Sequence, residues 1–308
     1  MITTITLNPA VDKTCTLKEL IPGAVNRMED VKNIAGGKGI NVTKILRQYD
    51  YPVRALGFLG GYNGRFIEDY LKSIGAEFCF TYVNGETRCN TNVLSGDGSV
   101  TELLEPGPIV SKEELNDFLG KYEEALTDSE VIVISGSIPE GVPVTIYADL
   151  IRLAKEKGVK VCLDTSGEPL KEGIAASPFM IKPNKRELEA LLNEKIETLA
   201  MLKDKASKLV RAGIDHVLVS MGNDGLLYAN KKQVLFAKAP KVQAVNTVAC
   251  GDSVVSSFVM SLIRGDDGEE CLKKAVAISA ANATTFDSAV IPKETAGQLY
   301  EVIEVQSI

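Results

Sequence analysis

Short β-branched runs alternate with amphipathic helical stretches along this chain, and that rhythm limits the possible folds more than any other feature. Four of the runs are mostly apolar, as in parallel strands buried on both faces: Val131–Ile134, Val159–Leu163, Phe179–Ile181 and Val217–Val219. Between them, apolar residues recur at helical spacing, and one such stripe follows the capping-box pattern of Ser111 and Glu114. The sequence therefore predicts an α/β fold with a mainly parallel sheet, whose strand-end loops meet at one ligand-binding edge.

Two stretches, at about 14–33 and 86–105, interrupt this rhythm. Both alternate polar and apolar residues, and turn signals stand at Asn84-Gly85 and at Gly96-Asp97-Gly98. We expect them to form antiparallel ribbons that are two pieces of one small sheet over the edge of the main domain, although two long surface loops would also fit. Because the sequence shows no linker and no internal repeat, we predict a single domain over residues 1–308.

The composition argues against several classes of function. Lys and Arg number 34 against 41 Asp and Glu, and a net charge of −7 does not suit a nucleic-acid partner, which requires a basic face. No apolar run approaches the roughly 18 residues that span a bilayer, and the N-terminus lacks the pattern of a signal peptide. We therefore expect neither a membrane nor a nucleic acid as partner.

Cysteine and histidine usage points to a cytoplasmic protein without a structural metal. None of the six cysteines forms a C-x-x-C pair, so zinc ribbons and redox dithiols are not expected. The one histidine, His216, stands at the start of an apolar strand. We expect it to be a strand-edge residue rather than part of a catalytic triad.

A glycine-rich segment, Ala35–Val42, contains Gly36, Gly37 and Gly39 and opens a helix. Glycines let the backbone approach a ligand closely, and a helix N-terminus favours anionic or oxygen-rich groups. The segment matches neither a Walker loop nor a G-x-G-x-x-G turn after a strand. On its own, it fits a ligand loop or a flexible turn.

A second helix start, Asn246–Ser253, places Asp252 in the first helical turn behind Gly251. An aspartate at this position usually caps the helix. The alternative is a general base beside an anion hole, in which helix-start amides hold a transferring phosphoryl group. The segment alone favours the cap.

Two more polar segments follow predicted strands. In Lys182–Glu187, Asn184 and Glu187 are three residues apart and share a helix face, where they could orient magnesium-bound water or simply cap the helix. Ser220–Gly225 offers glycines and small polar groups that suit a nucleotide phosphate or a plain turn. Neither segment decides between its two interpretations.

Together, and in this order, these segments resemble the ribokinase-like sugar kinases of the PfkB family. The resemblance spans the chain and includes Thr6–Asp12 at the N-terminus and Ser135–Pro139 after a central strand. Within the family, the chain looks like the branch of 1-phosphofructokinases and tagatose-6-phosphate kinases, which make a ketohexose 1,6-bisphosphate. The resemblance implies a ribokinase-like, Rossmann-like sandwich with a small β-sheet lid, and transfer of the γ-phosphoryl group of Mg·ATP to a sugar phosphate.

The resemblance also implies roles for individual residues. Asp252 matches the catalytic base, and the amides of Ala249, Cys250 and Gly251 match the anion hole. The positions that match substrate contacts are Asp12, Gly37, Lys38, Asn41, Arg88, Asn90 and Ser137. Those that match the nucleotide and phosphate side are Lys182, Asn184, Ser220, Gly222, Gly225 and Asn282. Glu187 matches a residue that acts on Mg²⁺ through water. Family members often pair through the lid, so a homodimer is expected.

The chain departs from the family at the anion hole. It reads Ala249-Cys250-Gly251-Asp252 where the family usually reads Gly-Ala-Gly-Asp or Gly-Ser-Gly-Asp. A positive φ at Ala249 would cost roughly 1 kcal/mol or more, whereas a helical or extended backbone would lose nothing. Because Gly251 and Asp252 remain, we predict the helical or extended backbone. For Cys250 we predict a thiol pKa lowered by the helix start, with alkylation that inhibits the enzyme and is blocked by ATP.

The acceptor is less clearly indicated. Gly85–Arg88 and Thr101–Pro108 look closer to tagatose-6-phosphate kinases, whereas Lys182–Glu187 and Asn246–Val248 look closer to 1-phosphofructokinases. We favour tagatose 6-phosphate slightly, with fructose 1-phosphate as the alternative. A non-catalytic sugar-phosphate or nucleotide sensor remains a third possibility, whereas a nicotinamide oxidoreductase would need its glycine fingerprint in the first βα turn.

Overall fold

A ten-stranded sheet and a four-stranded sheet organise the computed structural model, which describes residues 1–308. The strands are β1 (Ile2–Thr6), β2 (Ala10–Leu17), β3 (Asp30–Gly36), β4 (Val53–Leu59), β5 (Glu77–Tyr82), β6 (Arg88–Ser95), β7 (Val100–Leu103), β8 (Val131–Ser135), β9 (Lys160–Asp164), β10 (Met180–Ile181), β11 (His216–Ser220), β12 (Leu226–Asn230), β13 (Val234–Ala237) and β14 (Val305–Ser307). The helices are α1 (Lys38–Gln48), α2 (Gly61–Ser73), α3 (Lys112–Ala125), α4 (Ile146–Glu156), α5 (Gly167–Ala175), α6 (Lys185–Leu192), α7 (Leu199–Arg211), α8 (Cys250–Arg264), α9 (Gly268–Ala283) and α10 (Lys293–Val302).

The large sheet has the order β14-β13-β12-β11-β10-β9-β8-β1-β4-β5. The strands from β11 to β5 run parallel, and β12, β13 and β14 extend one edge in antiparallel fashion. The predicted α/β fold with a mainly parallel sheet is confirmed. All four β-branched runs form neighbouring central strands, because continuous apolar sequence suits a strand covered on both faces.

Two hydrophobic cores lie on the two faces of this sheet. Successive residues of β8 point into alternate cores, with Val131 and Val133 on one side and Ile132 and Ile134 on the other. The first core is closed by α1, α2, α8, α9 and α10, and the second by α3 to α7. Two helices that begin at the sheet's ligand-binding edge, α1 and α8, pack side by side on one face.

The small sheet has the order β3-β2-β6-β7 and combines the two stretches that were predicted to pair. β2 and β3 form one antiparallel hairpin, β6 and β7 form another, and β2 runs parallel to β6 between them. The turn at Gly96–Gly98 joins β6 to β7, as expected. The predicted hairpin turn at Asn84-Gly85 is wrong, because it links β5 of the large sheet to β6 of the small one.

A local sequence signal accounts for the start of α3. Ser111 Oγ accepts a hydrogen bond from the N–H of Glu114, and the Glu114 carboxylate accepts one from the N–H of Ser111, which is the predicted capping box.

His216 begins β11 and its Nδ1 lies 2.7 Å from the Tyr228 hydroxyl, in the predicted strand-edge position. No helix has the length and apolar character needed to cross a bilayer.

Candidate active site

A cleft of about 480 Å³ lies where the carboxyl ends of five neighbouring strands, β11, β10, β9, β8 and β1, meet the small sheet. The predicted site residues that line it are Asp12, Gly37, Lys38, Asn41, Arg88, Asn90, Ser137, Lys182, Asn184, Glu187, Ser220, Ala249, Gly251 and Asp252. Those that do not line it are Cys250, Gly222, Gly225 and Asn282. A somewhat larger groove of about 570 Å³, between α7 and the β12–β13 turn, contains none of the predicted residues.

The glycine-rich segment brings the start of α1 against β2. A Cβ on Gly36 would lie 1.9 Å from Asp12 Oδ2, so only glycine fits beside that carboxylate. Gly37 has φ 96° and forms the N-cap of α1, a conformation that favours glycine. Asp12 Oδ1 accepts a hydrogen bond of 3.1 Å from the Asn90 amide of β6. The segment is therefore a structured part of the cleft and not a flexible turn.

Asp252 sits in the first turn of α8 and faces the cleft, with 5% of its surface exposed. Its side chain does not cap the helix. Instead, Oδ2 accepts a hydrogen bond of 2.9 Å from the Asn41 amide on α1. Burial raises the pKa of Asp252 to about 6, against the partial compensation of Lys38, Asn41 and Lys182. The carboxylate thus has the position and the pKa that a general base near neutral pH requires.

The backbone at Ala249 contradicts the prediction made from the sequence. Ala249 is the N-cap of α8 with φ 67° and ψ 5°, in the left-handed region. The chain must turn sharply here to join the segment after Thr247 to the helix, and alanine holds that turn at a cost of roughly 1–2 kcal/mol. The N–H groups of Ala249 and Gly251 donate to no protein group, which leaves both available to an anion at the cleft.

Cys250 also differs from its prediction. Its N–H donates to Thr247 O at 3.3 Å, so this amide belongs to the turn. Its thiol contacts Ser279 O and the Asn282 amide away from the cleft. Burial raises the pKa of the Cys250 thiol, and this outweighs the effect expected from the helix start. The premise for rapid alkylation is therefore wrong.

A buried carboxylate that the sequence reasoning missed, Asp164, connects two lysines of the cleft. Lys38 Nζ lies 3.2 Å from each Asp164 oxygen, and Lys182 Nζ lies 3.3 Å from one of them. Burial disfavours the charge of Asp164, but the two lysines outweigh it and keep its pKa below the ordinary value. Burial likewise disfavours the charge of Lys38, but Asp164, Asp252 and Glu187 raise its pKa.

Lys182 stands directly beside the start of α8. Its Nζ lies 3.2 Å from the position that a Cβ on Gly251 would take. A larger residue at Gly251 would displace the ammonium group from the helix tip. The cleft thus places a lysine beside the tip of α8, where the N–H groups of Ala249 and Gly251 are free, an arrangement suited to a phosphoryl group.

Arg88, at the start of β6, reaches the cleft from the small sheet. Its Nη2 donates to Asn8 O at 2.9 Å and its Nη1 donates to Glu105 O at 3.1 Å. These bonds hold the guanidinium across the junction of the two sheets. A fixed guanidinium is well suited to a phosphate or carboxylate.

Asn184 and Glu187 form a complete capping box at the start of α6. Asn184 Oδ1 accepts from the N–H of Glu187, and Glu187 Oε2 accepts from the N–H of Asn184, both at 2.8 Å. The helix cap is therefore confirmed, and both residues also line the cleft. Glu187 Oε1 takes no part in the box. No group of three His, Cys, Asp or Glu side chains forms a ready metal cage.

Three of the predicted nucleotide residues, Gly222, Gly225 and Asn282, lie outside the cleft. Ser220 ends β11 at the cleft, but Gly222 begins a short 3₁₀ turn outside it and Gly225 follows that turn. Asn282, on α9, donates to Val248 O at 2.8 Å and accepts from the N–H of Ala289 at 2.9 Å. It therefore braces the two loops next to the start of α8.

Eight further residues line the cleft without having been predicted as site residues: Asn8, Asn92, Glu102, Leu104, Gly136, Thr165, Ser166 and Val248. Most follow the strands β1, β8 and β9 or belong to the small sheet. The rule that ligands bind at the carboxyl ends of parallel strands was the signal that could have found Thr165 and Ser166.

Comparisons with known proteins agree with this geometry. The family model described as pfkB family carbohydrate kinase matches residues 2–295. The chain is 34% identical over 305 residues to the 1-phosphofructokinase of Bacillus subtilis and 36% identical over 308 residues to the tagatose-6-phosphate kinase of Staphylococcus epidermidis, with 99% of each chain covered in both cases.

Solved structures extend the similarity to the fold. Phosphofructokinase-2 from Escherichia coli, in complex with fructose-6-phosphate, matches with a TM-score of 0.88 and 26% identity over 97% of this chain and 98% of that one. Ribokinase from Arabidopsis thaliana, in complex with ribose and ATP, matches with a TM-score of 0.78 and 21% identity over the same shares. The predicted ribokinase-like fold is confirmed.

Proposed function

The chain belongs to the pfkB family of carbohydrate kinases, and we propose that it transfers the γ-phosphoryl group of ATP to a ketohexose monophosphate, giving the 1,6-bisphosphate. The observation that carries this proposal is the position of Asp252. Its buried carboxylate faces the cleft next to the free amides of Ala249 and Gly251. This arrangement supports a base beside an anion hole, as an in-line transfer to a hydroxyl requires.

The proposed reaction assigns a separate task to each side of the cleft. Asp252 accepts the proton of the sugar hydroxyl as that oxygen bonds to phosphorus. Gly251, Ala249 and Lys182 offset the charge on the transferring group. Asp12, Asn90 and Arg88 approach from the small sheet and hold the sugar phosphate. Closure of the small sheet as a lid would exclude water and suppress hydrolysis of ATP.

Mg²⁺ completes the proposal as the ion that accompanies the nucleotide. The residues present fit an ion held mainly by phosphate oxygens and water, because the cleft offers Glu187 and Asn184 but no cage of three acidic ligands. When bound, the ion would neutralise charge on the phosphates. Glu187 Oε1 is the atom free to orient its water.

A homodimer through the small sheet and a cytoplasmic location are also proposed. The sheet exposes apolar side chains that a second copy could cover, including Val31, Val100 and Leu103. All six cysteines are free thiols, as in a reducing compartment. Sedimentation of the wild-type chain and of Val31→Lys tests the dimer, because a buried lysine at that position would weaken it.

The proposed acceptor is tagatose 6-phosphate, with fructose 1-phosphate as the alternative. Residues 101–108 look closer to tagatose-6-phosphate kinases, and Glu102 and Leu104 of that segment line the cleft. That similarity therefore lies where the acceptor would bind. Sequence identity does not separate the two, at 36% and 34% for the respective relatives.

An initial-rate panel with tagatose 6-phosphate, fructose 1-phosphate and fructose 6-phosphate tests the proposal, with ADP release measured in the presence of Mg·ATP. The highest kcat/KM for tagatose 6-phosphate would support the preferred acceptor, and a tenfold higher value for fructose 1-phosphate would establish the alternative. Binding of the sugar phosphates without turnover would contradict the kinase and indicate a sensor.

A further inference from the structure

A stripe of buried polar residues runs along one face of α1. Asn41, Lys44 and Gln48 fall at i, i+3 and i+7, so they share a face of the helix. Asn41 and Lys44 are each 3% exposed. Gln48 is less buried; its Nε2 donates to Ala289 O at 2.7 Å and its Oε1 accepts from the N–H of Ile291 at 2.9 Å. A polar stripe on a packed face is costly unless every group has a partner.

The ammonium group of Lys44 joins three parts of the molecule. Its Nζ donates to Ser288 O at 2.8 Å, in the loop before α10, and to Ala35 O at 3.2 Å, near the end of β3. It also lies 3.5 Å from Asn41 Oδ1, a longer contact in which the full charge of the lysine matters more than hydrogen-bond geometry. The three donors of Lys44 thus face three oxygen atoms.

The contact with Asn41 determines which end of that amide faces Asp252. With Oδ1 towards Lys44, Nδ2 points to Asp252 and donates to Oδ2 at 2.9 Å. A rotation of the amide by 180° would bring Nδ2 against the ammonium group and Oδ1 against the carboxylate, two unfavourable contacts. The charge on Lys44 therefore keeps an N–H donor directed at the carboxylate.

We propose that Lys44 is a positioning residue of the kinase: it orients the Asn41 amide towards Asp252 and so favours the ionised base. The inference rests on the proposed function for its kinetic consequences. Lys44 does not line the cleft and acts through Asn41 and through its charge. Its link to Ala35 and Ser288 also ties the base to the small sheet and to the loop before α10.

The surrounding charges are consistent with this role. Around Lys44 stand the carboxylates of Asp12, Asp287 and Asp252, with Lys32 opposing them, and the ring of Tyr70 lies 5.7 Å from Nζ. Burial lowers the pKa of Lys44 to about 8, and the carboxylates resist this shift. Around Asp252 stand Lys38, Lys182 and Asp164. Lys44 is therefore charged at pH 7.

The kinetic test compares Lys44→Met, Lys44→Arg and Gln48→Met with the wild type over pH 5–9. In Lys44→Met the charge is lost and the Asn41 amide is released. The acid limb, the pH at which kcat falls on the acid side, should therefore rise by about 0.5–1 unit. Lys44→Arg should keep the limb within about 0.3 unit. Gln48→Met removes loop contacts from the same stripe but does not touch Asn41, so it should lower the melting temperature without moving the limb.

A second measurement is independent of activity. The gain in melting temperature produced by Asp252→Asn at pH 7, where Lys44 is charged and Asp252 ionised, should be larger in the Lys44→Met background than in the wild type, because the ionised base has lost its partner. If Lys44→Met does not fold, Lys44→Gln serves in both experiments, with the same expected direction.

The two proposals fail in different ways. If the wild-type chain shows no turnover, the kinase assignment is contradicted, and the comparison of melting temperatures alone tests the role of Lys44. An unmoved acid limb in Lys44→Met, an equal shift in Gln48→Met, or an equal thermal gain in both backgrounds would overturn the role of Lys44.

Discussion

Replacement of Asp252 by Asn should stabilise the protein while it removes activity. Burial raises the pKa of Asp252 from 3.8 to about 6, so its ionised form is disfavoured in the folded chain. The shift is about 2 units, and at about 1.36 kcal/mol per unit the charge costs the fold roughly 3 kcal/mol. Asparagine resembles the neutral acid and can still accept from Asn41, so it avoids that cost.

The sign of the pH dependence follows from the direction of the shift. Above about pH 6 the carboxylate is ionised in both states, and the full cost is present. As the pH falls from 6 towards 3.8, the folded state takes up a proton first and the cost shrinks, to about a third at pH 4.5. Below 3.8 the wild type and the variant should have similar stability.

Thermal unfolding at pH 8 and pH 4.5 provides the assay. For 308 residues, 3 kcal/mol corresponds to a rise in melting temperature of roughly 4–5 °C at pH 8. Turnover should fall by on the order of 10²–10⁴, as for the loss of a general base. Asp164→Asn is the matched control: two lysines lower the pKa of Asp164, so the same substitution should destabilise the protein. No gain for Asp252→Asn at pH 8, or a gain of equal size at pH 4.5, would refute the reasoning.

Three further predictions concern other parts of the cleft. In the wild type, kcat should fall as the pH drops through about 6, because Asp252 becomes protonated; a flat profile between pH 5 and 8 would contradict a role as base. Arg88→Lys should raise the KM for the sugar phosphate about tenfold and leave that for ATP unchanged, since a single ammonium replaces a fixed fork; initial rates measure both. Ala249→Gly should relieve the positive φ and raise the unfolding free energy by about 1 kcal/mol with little change in turnover, whereas a loss of stability would show that the turn is not strained.

The sequence predicted the large sheet well because its signals are local. A run such as Val131–Ile134 carries its own evidence for a doubly covered strand, and Ser111 with Glu114 specifies a helix start within four residues. The hairpin prediction at Asn84-Gly85 failed because a turn signal does not specify which sheet each flanking strand joins. Here the partner of the following strand, β2, lies more than 70 residues earlier in the chain.

The sequence predicted which segments meet at the cleft better than it predicted the backbone and side-chain conformations within them. Motifs identified the segments that meet at the cleft, although the roles of their residues stay predictions. An alanine gives no sign of the left-handed backbone at Ala249; the signal was the glycine that the family usually has at this position. The thiol of Cys250 depends on burial against Ser279 and Asn282, some 30 residues away, which no local pattern reports.

In the proposed reaction, Asp164 and Asp252 have different tasks: Asp164 holds the two lysines and Asp252 takes up the proton. Both carboxylates are buried, and both interact with Lys38 and Lys182, yet their pKa values are shifted in opposite directions. Asp164 contacts both ammonium groups at 3.2–3.3 Å and stays ionised, so it fixes the two cations. Asp252 accepts a hydrogen bond only from the neutral Asn41 amide, and burial dominates. Because divergent pKa values in paired acids indicate divergent roles, the carboxylate that can gain a proton near neutral pH is Asp252, the one that faces the cleft.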